Sequence, residues 1–261
     1  MFKKLLIILF TTFALTLNLN AASDGELLMA KNQPSEVKDC FEKVNRATFK
    51  FNQALDGTVF KPVANIYRKL PSPARTGVSN SLQNLSHLVT IPNNILQGDI
   101  KQAGINVGRF IINSTVGVLG VFDVAEYLGL SNYQKEDYGQ SIAKLGVGPG
   151  CYIVLPVLGP STARDTLASS LNFLGGDAWY NVTVKNDTQY FNDANYYSSQ
   201  ATAGVDFRAK NFNSIENLEK NSIDFYASVK SLYLQDRQQK ILNTKKIIDT
   251  QNDDWEEIDN Q

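Results

Sequence analysis

Few residues of this chain could do covalent chemistry, and their spacing speaks against it. His87 is the only histidine, so a Ser/His/Asp triad would have to use a side chain inside a helical stretch. Gly77-Val78-Ser79-Asn80-Ser81 approaches a nucleophile elbow and fails at its last position. Glu136-Asp137 are adjacent carboxylates, and chain neighbours point apart, whereas glycoside hydrolysis needs two facing each other across a bond. Gly146-Val147-Gly148-Pro149-Gly150 has the glycine density of a phosphate loop. No Lys-Ser/Thr follows it, however, and Pro149 removes an amide donor. One histidine and two cysteines, Cys40 and Cys151, are too few for a zinc site of three or four nitrogen and sulfur ligands. An enzyme is the losing class, and no metal or cofactor is expected.

What stands out instead is a stretch that needs somewhere to hide, Tyr138 to Asp165. Its glycine-rich turn feeds an apolar run, Tyr152 to Leu158, interrupted by Pro156 and ended by Gly159-Pro160. The run is shorter than the roughly 20 residues that span a bilayer as a helix. It also holds too much Gly and Pro for a regular helix or a central strand. Either the protein's own core or lipid must cover it.

The elements around it read as helices. Ser35 suits an N-cap for a helix from Glu36 to Leu55, with Val37, Phe41, Val44, Thr48, Phe51 and Leu55 as its inner stripe. Ala47 and Phe49 lie off that stripe. The helix is therefore a core helix with one exposed aromatic, or one greasy on two sides because one side meets lipid. Asp56-Gly57 is expected to break it, and Pro62 opens a short helix to Lys69. After Pro71-Ser72-Pro73, a stripe of Val78, Leu82, Leu85 and Val89 runs up to Ile91-Pro92, with His87 a surface or packed residue. Asp99 caps a helix over Ile100 to Val116 whose inner face carries Ile105, Phe110 and Ile112, and Gly104 and Gly108 permit a close backbone approach. The nearly uncharged run from Phe110 to Phe122, loosened by Gly117 and Gly120, reads as buried core before lipid contact. Residues 175–205 read as loop with short helices, and a long helix follows from Asp206. Little β alternation is present outside Asn181 to Lys185. The fold class is all-α, built from medium helices joined by Gly/Pro turns.

The 261 residues suffice for a substantial core, and 25 Lys+Arg against 26 Asp+Glu offer no basic face for nucleic acid. Lys3 and Lys4, the apolar Leu5 to Leu17, and Asn20-Ala21-Ala22 make residues 1–22 a signal peptide cleaved after Ala21 or Ala22. No cysteine stands at the cleavage point, so no lipidation signal is read. Residues 23–34 form a flexible leader, 35–240 the domain, and 241–261 a charged tail expected to be disordered or loosely docked.

Three motifs together resemble the MlaA/VacJ family of outer-membrane phospholipid-transport proteins. They are Asp39-Cys40-Phe41-Glu42-Lys43-Val44-Asn45-Arg46, Arg109 to Thr115 continuing to Asp123-Val124-Ala125, and Glu136-Asp137-Tyr138-Gly139-Gln140 followed by Gly146 to Gly150 and Leu155 to Asp165. Pro62-Val63-Ala64, Pro71 to Arg75 and Leu96-Gln97-Gly98-Asp99 match as well. The resemblance implies a single ring-like helical domain in the inner leaflet of the outer membrane. There, phospholipid mislocalised to the outer leaflet descends through an amphipathic channel. It also implies a soluble periplasmic carrier like MlaC that collects the lipid and, for some members, a trimeric porin as partner.

The same resemblance places Gly146, Gly148, Gly150, Tyr152, Leu155 and Pro156 at the channel and its hinge, and Asn45, Arg46, Phe49, Lys50, Phe51 and Asn52 on a helix beside it. Arg109, Asn113, Asp123, Arg164 and Asp165 are its polar motif residues. An exported structural or porin-binding protein that moves no lipid is the alternative. Many family members are lipoproteins, a signal absent here. Cys40 and Cys151 stand where members commonly have Pro, and two isolated cysteines in an oxidising compartment suggest a disulfide between the N-terminal helix and the Gly-rich hairpin. Closing a loop of that length contributes on the order of 4–5 kcal/mol.

Overall fold

The computed structural model describes residues 37–130, 133–171, 177–185 and 192–242. The expected signal peptide, leader and tail from Asn243 lie outside the described residues. α1 (Glu42–Leu55) passes through a π turn, Asp56–Phe60, into α2 (Lys61–Arg68). α3 (Ser72–Leu96), α4 (Ile100–Thr115), the one-turn α5 (Val124–Tyr127) and α6 (Tyr138–Lys144) follow. An antiparallel hairpin, β1 (Tyr152–Leu155) and β2 (Gly159–Thr162), pairs Tyr152 with Thr162 and Leu155 with Gly159. After it come α7 (Ala163–Leu171), α8 (Ala178–Tyr180) with a second π turn, Asn181–Lys185, and then α9 (Asp193–Lys210), α10 (Phe212–Asn221) and α11 (Phe225–Leu242).

Helical content is as expected, but several boundaries move. Asp56-Gly57 does not end a helix, because the wider π turn absorbs it, with Thr58 Oγ1 donating to the Ala54 carbonyl at 2.8 Å. α3 runs through Pro92 to Leu96, where Asn93 Nδ2 donates to the Val89 carbonyl at 2.8 Å beside the donor that proline lacks. Of residues 175–205, expected as loop with short helices, the part from Asp193 belongs to the longer α9, opened by a reciprocal cap in which Asn192 and Asn195 each bond the other's backbone N–H. The helix expected from Asp206 is instead three pieces, divided at Asn211 and between Asn221 and Phe225. The β structure lies in the hairpin, and Asn181–Lys185 is π-helical.

The largest correction concerns sidedness. Among the described residues twenty polar or charged side chains are buried against nine hydrophobic ones, five of them alanine. On α3 the buried positions include Asn84, His87, Thr90 and Asn94, spaced three, three and four, and on α4 Ala103, Asn106, Arg109 and Asn113. These are helical stripes at the period of a core face, written in polar residues. α3 and α4 meet along them in antiparallel register. Asn106 Nδ2 donates to Asn94 Oδ1 and Asn84 Nδ2 to Ser114 Oγ, both at 2.8 Å.

On α1 the apolar stripe points outward, with Phe41, Val44 and Phe51 all more than half exposed, while off-stripe Phe49 packs edge-on against Phe225 and Tyr226. Among the described residues, Gly104 has no neighbour within 4 Å of a built Cβ and Gly108 meets only the Leu130 side chain, so neither serves a close backbone approach there. The run from Phe110 to Phe122 is not core either. Val116, Val118, Leu119, Val121 and Phe122 stand exposed on a tight turn in which Val118 and Leu119 take positive φ.

Candidate functional site

The hairpin is fastened to α1 by side chains that imitate a strand. Asn45 Nδ2 donates to the Tyr152 carbonyl at 3.0 Å, and Asn45 Oδ1 accepts from the Val154 N–H at 2.9 Å. Two helical turns on, Asn52 repeats the device, donating to the Leu155 carbonyl and accepting from the Val157 N–H, both at 2.8 Å. A primary amide carries the donor and acceptor that a missing neighbour strand would supply. Seven residues of helix match three of strand, about 10 Å in each case, so Asn45 satisfies the outer edge of β1 and Asn52 the backbone where the strand ends, at Leu155 and Val157.

Upstream, a disulfide joins Cys40 to Cys151 across 111 residues of sequence, and the Tyr152 N–H donates to the Lys38 carbonyl at 2.9 Å. The expected pair is therefore present, at the very end of the glycine loop. Asp39 accepts from Asn45 and from the Tyr226 hydroxyl, with Lys230 3.5 Å away. Arg46 pairs with Asp224 at 2.7 Å and lies over the Tyr226 ring. Phe49 completes the aromatic cluster beneath the hairpin with Tyr152, which is fully buried. Lys50 and Phe51 face outward, and Leu155 is half-buried beside exposed Pro156.

Behind the hairpin lies a charge network that sequence reasoning only half found. Arg237 donates to both oxygens of Asp137 at 2.7 Å and to both oxygens of Asp165 at 3.0 Å, and Asp165 also receives Arg164 and the Tyr233 hydroxyl. Arg164 reaches on to the Val147 carbonyl inside the glycine loop. Arg237 thus ties α6, the start of α7 and α11 together. Burial pushes the Asp137 carboxyl up, but the Arg237 hydrogen bonds and charge outweigh it and hold the group at about 2. Asp165 is held down in the same way. Adjacent Glu136 goes the other way, because burial raises it and the hydrogen bond from Gln97 only partly offsets that. Gly139 explains itself here: a Cβ would stand 2.3 Å from Arg237 Nη2 and 2.4 Å from Asp165 Oδ1.

Arg109, Asn113 and Asp123 form a second cluster. Arg109 Nη2 meets Asp123 Oδ2 at 2.5 Å, Asn113 donates to Asp123 Oδ1 and accepts from the Ala125 N–H, both at 2.9 Å, and Asp123 caps α5. These bonds close the apolar turn between α4 and α5. His87 lies nearby as a packed ring, 4.6 Å from Tyr133 between centroids. Within the glycine loop, Gly146 at φ 90° and Gly148 have open space around them, whereas a Cβ on Gly150 would press on Ala163. Arg208, also missed from sequence, grips Asp56 with both arms and reaches Glu216, all within 2.9 Å. The signal for Arg208 and Arg237 was faint, since each is one charge on a helix of mixed polarity.

Fold and site together define a helical protein that buries many polar groups and leaves many large apolar side chains exposed, with no described helix long and apolar enough to cross a membrane. Residues 37–240 match the family model of the MlaA lipoprotein. A protein of Rickettsia bellii is 33% identical over 208 residues, covering 79% of this chain and 78% of the relative. The intermembrane phospholipid transport system lipoprotein MlaA of Haemophilus influenzae is 30% identical over 223 residues, 84% of each chain. A solved structure from work on the structural basis for maintenance of bacterial outer membrane lipid asymmetry superimposes with a TM-score of 0.65 at 30% identity, covering 78% of this chain and 99% of that one. This chain belongs to the MlaA lipoprotein family.

Proposed function

We propose that the protein is a non-enzymatic phospholipid conduit of the outer membrane, removing phospholipid from the outer leaflet and so maintaining lipid asymmetry. The observation that carries this reading is the inverted burial. Each exposed Val, Leu, Ile or Phe forgoes up to about 1.5–3 kcal/mol in water, which an apolar surrounding returns, while the polar stripes turn hydrogen-bonding groups towards the side on which a charged headgroup would have to pass. The family relationship supports the same cargo and membrane.

Within this reading the hairpin borders the passage and Gly146 to Gly150 is its hinge. The two unencumbered glycines supply the freedom, and Cys151 with Arg164 anchors the far end. A periplasmic carrier of the MlaC type receives the lipid, and a trimeric porin is a partner in the bilayer. The mature chain carries no N-terminal acyl group and attaches through its apolar surface; the intact mass of the membrane-extracted protein tests that point. Deleting the gene should raise the fraction of outer-membrane phospholipid open to added phospholipase on intact cells, and the wild-type gene should restore it. An unchanged fraction would leave the protein a scaffold.

A further inference from the structure

A half-open cavity of about 300 Å³ lies where the C-terminal end of α2, the first turns of α3 and the last turns of α9 converge. Tyr67, Arg75, Thr76, Ser79, Asp206 and Lys210 face it among others. Its charges are two cations and one anion, and the anion is already committed: Asp206 accepts from the Tyr67 hydroxyl and pairs with Lys210, both at 3.0 Å. Lys210 also bonds the buried Ser79 hydroxyl. Arg75 is different. Its Nε donates to the Leu70 carbonyl at 3.2 Å, and no carboxylate pairs with its guanidinium among the described residues. Beside the cavity, Ile66 on α2, Leu70 just past its end and Phe207 on α9 are each at least 45% exposed. A polar floor with one uncompensated guanidinium, bounded by helices with apolar exteriors, is complementary to a monoanion that carries hydrocarbon.

We infer that this cavity seats the phosphodiester of a phospholipid headgroup, with Arg75 as its principal ligand and the Thr76 hydroxyl and Lys210 beside it. A guanidinium presents parallel N–H donors that match two phosphate oxygens, and a phosphodiester's single charge equals the site's net charge. The acyl chains would leave over Ile66, Leu70 and Phe207. The inference rests on the conduit reading, and adds to it a station at which the headgroup is held.

The test uses the full mature chain in a nonionic detergent, titrated calorimetrically with dihexanoylphosphatidylglycerol, with dihexanoylglycerol and with inorganic phosphate. The phospholipid should bind best. Arg75→Gln should weaken it about tenfold or more, the loss of one charge-assisted pair, while Arg75→Lys, which keeps the charge but loses the paired donors, should bind less tightly than the parent and more tightly than Arg75→Gln. Unchanged circular dichroism shows the variants fold. If Arg75→Gln folds and binds the phospholipid as tightly as the parent, the seat is wrong while the conduit stands. If the parent binds neither lipid, the conduit reading itself falls. Inorganic phosphate bound as tightly as the phospholipid would overturn the assignment to a headgroup.

Discussion

At the scale of the residue, buried amides do work that hydrophobic packing does elsewhere. Asn45→Leu fills the same space but strands the Val154 N–H and the Tyr152 carbonyl, and Tyr152 and Val154 are themselves buried. Denaturant titration in detergent should show a loss of about 2–4 kcal/mol, one to three for each stranded group with partial relaxation. Gly139→Ala should cost at least as much, about 3 kcal/mol or more, because neither Arg237 nor Asp165 can retreat without breaking a fork of charge-assisted bonds. The same fork sets the acid limit. Asp137 titrates at about 2 in the folded protein, below its ordinary unfolded value near 4, so its contribution is complete above that value and disappears as pH falls towards 2. Glu136, raised by burial, works in the opposite sense: the folded state is penalised while it is ionised, and relieved as pH falls through its raised value. Acid titration of Glu136→Gln should therefore lack the gain that the parent shows as pH falls towards the ordinary carboxylate range, and keep the loss below about 4 where Asp137 and Asp165 protonate.

At the scale of the element, two devices hold the hairpin, and they are separable. The asparagine ladder satisfies the β1 edge, and the Cys40–Cys151 bond fixes the strand's approach. Cys40→Ser should lower stability by about 2–5 kcal/mol and leave the ladder in place, which hydrogen exchange at Val154 and Val157 would report as protection weakened but retained. The turn after α4 stores strain of a different kind. Val118 and Leu119 sit at φ 53° and 56°, a region that costs side-chain-bearing residues about 1–3 kcal/mol each. Water would not favour an exposed, strained leucine there, whereas lipid contact would. Leu119→Gly is expected to stabilise the detergent-solubilised protein by about 1 kcal/mol while weakening its flotation with phospholipid vesicles. Stronger flotation than the parent's would remove the turn from the membrane surface.

At the scale of the molecule, the inversion of inside and outside governs both stability and location. The buried interior is tied by α3–α4 amide pairs and by arginine forks at Asp123, Asp56, Asp137 and Asp165, while Phe41, Phe51, Ile66 and Phe122 face out. Such a molecule should precipitate or self-associate when detergent is removed and remain dispersed in lipid nanodiscs.

Helical content could be read from the chain itself, because it depends on local chemistry: the 3.6-residue period and Gly and Pro punctuation. The hairpin could not, since its Gly and Pro argued against a strand and only the family resemblance placed it. The cysteine pair was legible because only two cysteines exist to be joined. Sidedness was not. An apolar stripe has the same period whether it meets a core or a membrane, and so Val44 and Phe51 read as interior. Nor was it visible that Asn45 and Asn52 complete a strand more than a hundred residues away, or that Arg237 closes on Asp137 and Asp165. A hydrogen bond between distant residues leaves no periodic trace in either of them. Only the tertiary structure decides which polar groups meet, and therefore which face of each helix is left outward.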